Sequence, residues 1–81
     1  MGFHYVYMLR SITNSERYYI GIAVDLEERL KRHNSGLCKH TSKLTPWQIE
    51  TVIAFRSKRK AVVFERYLKS HSGRAFAKKH F

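Results

Sequence analysis

The amino-acid sequence predicts an α+β domain in the order β-β-α-β-α-α, and three observations carry that reading. Two strand-like runs, residues 3–9 and 17–22, are rich in aromatic and β-branched residues and are separated by a polar turn. A third such run covers residues 47–55. Between and after them lie segments with helical apolar spacing, each preceded by a residue able to cap a helix. With 81 residues, the chain has room for one core and is read as a single domain over residues 1–81.

In the first run, Phe3, Tyr5, Tyr7 and Leu9 share one face while His4, Val6 and Met8 share the other, so this strand reads as central and buried on both sides. The polar residues 11–16, with Asn14 and Ser15, turn the chain into the second run, giving an antiparallel hairpin. Asp25 then caps a helix, with Glu28 at capping-box spacing and Leu26 and Leu30 on the buried stripe; it ends near Ser35-Gly36. A loop through Lys39 and Lys43 leads to Pro46 and the third strand, with Ile49, Ile53 and Phe55 expected on one face. Ser57 caps a second helix whose broad apolar face comprises Ala61, Val62, Val63, Phe64, Tyr67 and Leu68, expected to end before Ser72-Gly73. Residues 74–81 add a last helical turn or two.

Composition narrows the function. Hydrophobic residues make up 43% and aromatics 14%, well above the apolar poverty of disordered chains. The single cysteine, Cys38, forms no internal disulfide, and the chain opens with no secretory pattern, so a cytoplasmic location is expected. No apolar run approaches the ~18 residues of a membrane span. Sixteen Lys and Arg against six Asp and Glu give a net charge of +10, and from Arg56 onward nine cations face only Glu65. Such a field attracts polyanions, nucleic acid foremost; a merely solvated basic surface and affinity for anionic lipid are the alternatives.

Three features depart from ordinary helix design. Lys58, Arg59 and Lys60 fill the first turn of the second helix, where the macrodipole favours anions and a phosphate would gain from amides and cations together. Glu65 sits along or beside the stripe that faces the core, a position that calls for a partner such as an arginine or for a metal role. One placed carboxylate in so basic a chain suits a single hard cation, Mg²⁺ or Mn²⁺, completed by waters and phosphate oxygens. Arg29 and His33, four apart on the first helix, project from one side and are able to grip one phosphate, or are plain surface residues. The strand tyrosines alone read as packing residues. His33, Cys38 and His40 lack the paired spacing of a zinc module.

The joint arrangement resembles the GIY-YIG nuclease superfamily along nearly the whole chain. Tyr5-Val6-Tyr7 stands at the first triplet and Tyr19-Ile20-Gly21 at the second, followed by Asp25, by Arg29 eight residues past the glycine, and by His33 and Glu65. Asn34-Ser35-Gly36, Pro46-Trp47 and Glu65-Arg66-Tyr67-Leu68-Lys69 are similar to the short stand-alone branch, and the whole is similar to the UvrC N-terminal endonuclease domain. The resemblance implies a three-stranded antiparallel sheet flanked by helices and a DNA endonuclease with one divalent metal. It implies that Tyr7 assists or performs deprotonation of the attacking water, Tyr19 positions phosphate or water, and Arg29 stabilises developing charge. His33 would support the nucleophile or Tyr7, and Glu65 would hold the metal.

The first triplet carries Tyr5 where the family has glycine, and no asparagine follows Asn34, so the family's late asparagine has no counterpart; Ser72, Arg74 and His80 are candidate substitutes. Lys39, Lys43, Lys58, Arg59, Lys60, Lys69 and Arg74 are the candidate nucleic-acid contacts. Without an added recognition domain, structure-selective or weakly sequence-selective cutting is expected. Phosphate contacts do not distinguish the sugar, so RNA stays open as a substrate. A non-catalytic binding module on the same scaffold is the competing reading.

Overall fold

The computed structural model describes residues 2–81. Along the chain run β1 (His4–Ser11), β2 (Tyr18–Ala23), α1 (Leu26–Asn34), a short 3₁₀ turn (Ser42–Leu44), β3 (Trp47–Phe55), α2 (Lys58–Lys69) and α3 (His71–His80). The three strands form one antiparallel sheet in the order β2-β1-β3. Among the described residues, no helix is long and apolar enough to cross a membrane.

The central position of β1 follows from its sequence: Val6, Tyr7, Met8 and Leu9 are all buried, so both faces of the strand are covered. Alternation splits them between two cores. Val6 and Met8 pack with Ala61 and Leu68 of α2 and Ala77 of α3, joined by Ile20, Phe55 and Phe64. Tyr7 and Leu9 pack on the opposite face with Ala23 and Trp47, joined by Tyr19, Leu26 and Leu30. Fully burying side chains of this size stabilises by ~1.5–3 kcal/mol each, so one strand organises most of the apolar burial.

The expected caps form. Asp25 accepts a hydrogen bond from the Glu28 amide at 3.1 Å, but the Glu28 carboxylate pairs with Arg32 at 3.3 Å rather than closing a capping box. Gly36, at φ 81°, follows the end of α1 in the left-handed region that favours glycine. Ser57 accepts from the Lys60 amide at 3.2 Å.

Three expectations are corrected. Ile49, Ile53 and Phe55 do not share a face: Met8 is opposite Thr51 but Leu9 is opposite Ile49, so a bulge at Glu50 shifts the alternation. Trp47 and Ile49 therefore lie on the Tyr7 side, and Ile53 and Phe55 on the Val6 side. The last helix begins at His71 rather than Arg74: the second ends at Lys69, ahead of Ser72-Gly73 as expected, and Ser70 donates its hydroxyl to Tyr67 O and accepts from the Gly73 amide, opening α3 at once. Gly73 thus lies inside α3, packed so tightly on the corner that an added Cβ would overlap the Tyr67 carbonyl. Finally, the apolar face of α2 is narrower than its composition, since Val63 and Tyr67 are exposed.

Gly21 is the tightest point of the hairpin. It pairs directly with Tyr7, and an added Cβ would overlap the Tyr7 ring and hydroxyl. Gly21→Ala is expected to lower stability by about 1–3 kcal/mol, the usual range for overpacking a filled core. Gly2→Ala, with nothing within 4 Å of the new Cβ, should change it by less than about 0.5 kcal/mol in the same urea titration.

Candidate active site

The site grows from one buried hydroxyl. Tyr7 is only 2% exposed, and its phenol oxygen must find a partner inside the protein. That partner is His33 Nε2 at 3.1 Å, carried on the inward side of α1 and itself 2% exposed. The other ring nitrogen, Nδ1, lies 3.0 Å from Thr41 Oγ1. The Thr41 hydroxyl also donates to Cys38 O at 3.3 Å, an arrangement that favours the proton on His33 Nδ1. This ordering leaves Nε2 bare to accept the Tyr7 proton. The Tyr7 hydroxyl then donates to Nε2, and Thr41 holds the far side of the ring.

The loop that supplies Thr41 is tied down by Trp47 and Asn34. Trp47 Nε1 donates to Thr41 O at 2.9 Å. The Asn34 amide closes a two-bond ring on the Trp47 backbone, accepting from its amide at 2.6 Å and donating to its carbonyl at 3.0 Å. Tyr19 completes the aromatic wall, its ring centroid 4.7 Å from that of His33 and 6.5 Å from that of Trp47.

Electrostatics set the protonation states. Burial pushes the Tyr7 phenol up to about 12, against the opposing pull of the Arg29 guanidinium. Burial also lowers the His33 pKa below the usual imidazole value, and the Arg29 charge lowers it further. At neutral pH the pair is therefore a neutral phenol on a neutral imidazole.

Arg29 sits beside this pair with capacity to spare. Its Nη1 donates to Ile22 O at 3.1 Å, while its Nε is buried with no acceptor. Among the described residues it has no carboxylate partner. A half-buried guanidinium with an unused donor and no counter-ion favours an incoming anion.

Glu65 stands apart from that face, on α2. Its side chain is 15% exposed and its carboxylate pairs with Lys69 Nζ at 2.7 Å; that ammonium lies 6.0 Å from the Tyr19 ring centroid. The structural partner of Glu65 is thus a lysine one turn on. Among the described residues no group of three or more His, Cys, Asp or Glu could cage a metal. The donor set fits a hydrated Mg²⁺ or Mn²⁺ held by one carboxylate and completed by water and phosphate, and does not fit an ion needing a protein cage.

Of the residues singled out from sequence, Tyr7, Tyr19, Arg29 and His33 come together, and Glu65 approaches through Lys69. Lys69 and Arg74 line a depression with Tyr19. Arg59 and Lys60 instead border a separate shallow depression with Phe55, Val63 and Tyr67, and Lys39 and Lys43 are exposed in the loop before β3. Thr41 carries no sequence signal, being one more polar residue in a polar loop. Asn34 and Trp47 appear in the family-like fragments, but their bond to each other joins positions thirteen apart.

A three-stranded sheet with a tyrosine–histidine pair and an uncompensated arginine on one face places the protein among small α+β domains that carry a polar site on a sheet face. More particularly, the family model for the GIY-YIG catalytic domain matches residues 3–79, and the chain belongs to that family. It is 36% identical over 72 residues to the UPF0213 protein BH0048 of Halalkalibacterium halodurans, covering 88% of this chain and 74% of that one. It is 36% identical over 69 residues to the structure-specific endonuclease subunit SLX1 of Cryptococcus neoformans, which is 78% of this chain but only 14% of that protein. The solution structure of BH0048 from Bacillus halodurans superposes with a TM-score of 0.57 at 30% identity, covering 95% of this chain and 83% of that one.

Because folding holds His33 neutral while the unfolded chain takes up its proton near pH 6.5, the unfolded state binds more protons below that value. The His33 contribution is full above about pH 6.5 and is lost as pH falls toward the lowered folded value, by at most about 1.4 kcal/mol per pH unit. Urea titrations at about pH 7.5 and 5.5 should show this loss in the wild type and a flatter response in His33→Asn.

Proposed function

We propose that the protein is a divalent-metal-dependent DNA endonuclease that hydrolyses phosphodiester bonds and selects substrates by structure more than by sequence. The observation that carries the reading is the buried Tyr7–His33 pair beside an arginine that lacks a counter-ion. The pair also serves the fold; the guanidinium beside it, without a counter-ion, is what adds a place for a phosphate.

In this reading the Arg29 guanidinium receives a non-bridging oxygen of the scissile phosphate and stabilises the charge that develops there. Tyr19, on the same face, positions the phosphate or the attacking water. Tyr7 acts in the deprotonation step, and the contact with His33 removes the objection that a phenol near pKa 12 is a poor base. Its oxygen takes a proton from water as its own proton passes to His33 Nε2, so no free phenolate has to form. The resulting imidazolium is disfavoured by burial and by Arg29 alone, and is tolerated once phosphate neutralises Arg29. The hydroxide attacks phosphorus, the bond to the leaving sugar oxygen breaks, that oxygen takes a proton from solvent, and the His33 imidazolium returns its proton to solvent through Tyr7.

Glu65 would hold the metal, Mg²⁺ or Mn²⁺, whose chemistry is to polarise the phosphate and stabilise the leaving oxygen. Lys69 has to leave Glu65 to make room, and is then free to meet phosphate. The structure-specific endonuclease named among the relatives supports a structured DNA substrate.

Two outcomes follow. Supercoiled plasmid and branched oligonucleotides should be cut with Mg²⁺ or Mn²⁺, and Glu65→Ala and Tyr7→Phe should each reduce cutting at least ~100-fold, the scale of losing one acid–base group, while DNA binding persists. Salt-sensitive binding without any cutting, on DNA or RNA, would favour the binding module. Separately, Lys69→Met should tighten Mn²⁺ binding in the absence of DNA roughly two- to fivefold, as expected on removing an exposed ion-pair competitor. Electron paramagnetic titration of free Mn²⁺ measures this, with Glu65→Gln as the variant that loses binding.

A further inference from the structure

Beside the tyrosine–histidine face, and not part of it, an open groove of about 740 Å³ runs between the β2 edge and α3. Its rim carries Arg17 from the end of the β1–β2 turn and Arg74 and Lys78 from one side of α3. None of the three forms an ion pair among the described residues, and the only carboxylate on the lining is Glu16. Its floor is apolar, formed by Ile20, Leu68, Ala77 and Phe81.

One aromatic on the lining is built as a platform. Tyr18 is 45% exposed, yet its hydroxyl accepts from Arg10 Nη2 at 2.8 Å, and the Arg10 guanidinium lies 5.3 Å from the ring centroid. Arg10 is in turn paired with Glu50 at 3.5 Å. An exposed ring braced in this way loses little freedom when a flat ligand stacks on it.

We propose that this groove binds an unpaired DNA strand leading to or from the scissile phosphate. The proposal rests on the nucleic-acid reading above and names the substrate class: DNA with a single-stranded arm next to a duplex. The cationic rim alone would suit any phosphate chain. The apolar floor and the braced tyrosine select further, because only unpaired bases present faces that can stack and be taken from water. A duplex turns those faces inward and would use the rim but not the floor. The groove also reaches the candidate site, since Tyr19 and Lys69 line its end. A strand lying in it would be delivered to that point, which gives structure selectivity without base-edge readout.

Binding in EDTA isolates the groove from catalysis, using a fluorescent oligothymidylate and a blunt duplex of equal length. Tyr18→Ala should weaken oligothymidylate binding about tenfold, the loss of roughly one stacked base, while Tyr18→Phe, which keeps the ring but loses the hydroxyl brace, should weaken it by less. The triple substitution Arg17→Ala, Arg74→Ala, Lys78→Ala should reduce the salt dependence of single-strand binding by about two in log–log slope, at ~0.7 per phosphate contact. Duplex binding should change less than about threefold in Tyr18→Ala but should weaken in the triple variant, since a duplex uses the rim as well, and circular dichroism of both should match wild type. The proposal is overturned if the variants hold the single strand as wild type does, or if Tyr18→Ala lowers single-strand and duplex affinity together. It is also overturned if wild type prefers the blunt duplex. A wild type that binds single strands as predicted but cuts nothing with metal added would count against the nuclease reading and leave the groove standing.

Discussion

The fold is organised around the need to satisfy one hydroxyl in the middle of its central strand. Tyr7 lies on β1 where both faces are covered, so its phenol is largely shielded from bulk solvent and needs a partner within the protein. His33 provides the pairing, and that choice fixes the rest. Gly21 has no side chain because the Tyr7 ring lies against it. Helix α1 must present His33 inward, Thr41 must hold its far nitrogen, and Trp47 and Asn34 must hold the loop that carries Thr41. A buried chain of hydrogen bonds this complete makes each member costly to remove, since every deletion strands a neighbour.

The two faces of the sheet divide the labour. On the Val6 side, α2 and α3 supply ordinary apolar packing, and they carry half of the lysines and arginines. On the Tyr7 side, the core is aromatic and polar, and it is there that Arg29 sits without a counter-ion. Glu65 belongs to the first side by its helix but reaches toward the second at the β2 edge, where Lys69 meets both it and Tyr19. In the proposed function, the two halves of the site would meet at this β2 edge.

Much of this was legible in the sequence. Period-2 alternation located all three strands, and the doubly apolar pattern of residues 3–9 placed the first one at the centre of the sheet. Asp25 and Ser57 marked helix starts because side-chain capping is a local property. What escaped was non-local or geometric. The Glu50 bulge breaks an alternation that sequence can only extrapolate, so the faces of β3 were mixed. Ser70 was not read as a junction because its neighbours continue the helical pattern, and the competing Ser72-Gly73 is a more familiar stop signal. At the site, the spacing of Arg29 and His33 put both on one side of α1. It could not tell that His33 turns wholly inward to Tyr7 while Arg29 stays half-buried and unpaired, nor that Thr41 from a featureless loop would be the anchor.

The account depends on the order of protons in the Tyr7–His33–Thr41 chain. Long-range proton–nitrogen NMR of the imidazole ring at neutral pH reads that order directly. A neutral His33 with its proton on Nδ1 and a bare Nε2, whose resonance moves in Tyr7→Phe, is the predicted result. A doubly protonated ring, or a proton on Nε2, would contradict it, because Tyr7 would then have nowhere to send its proton.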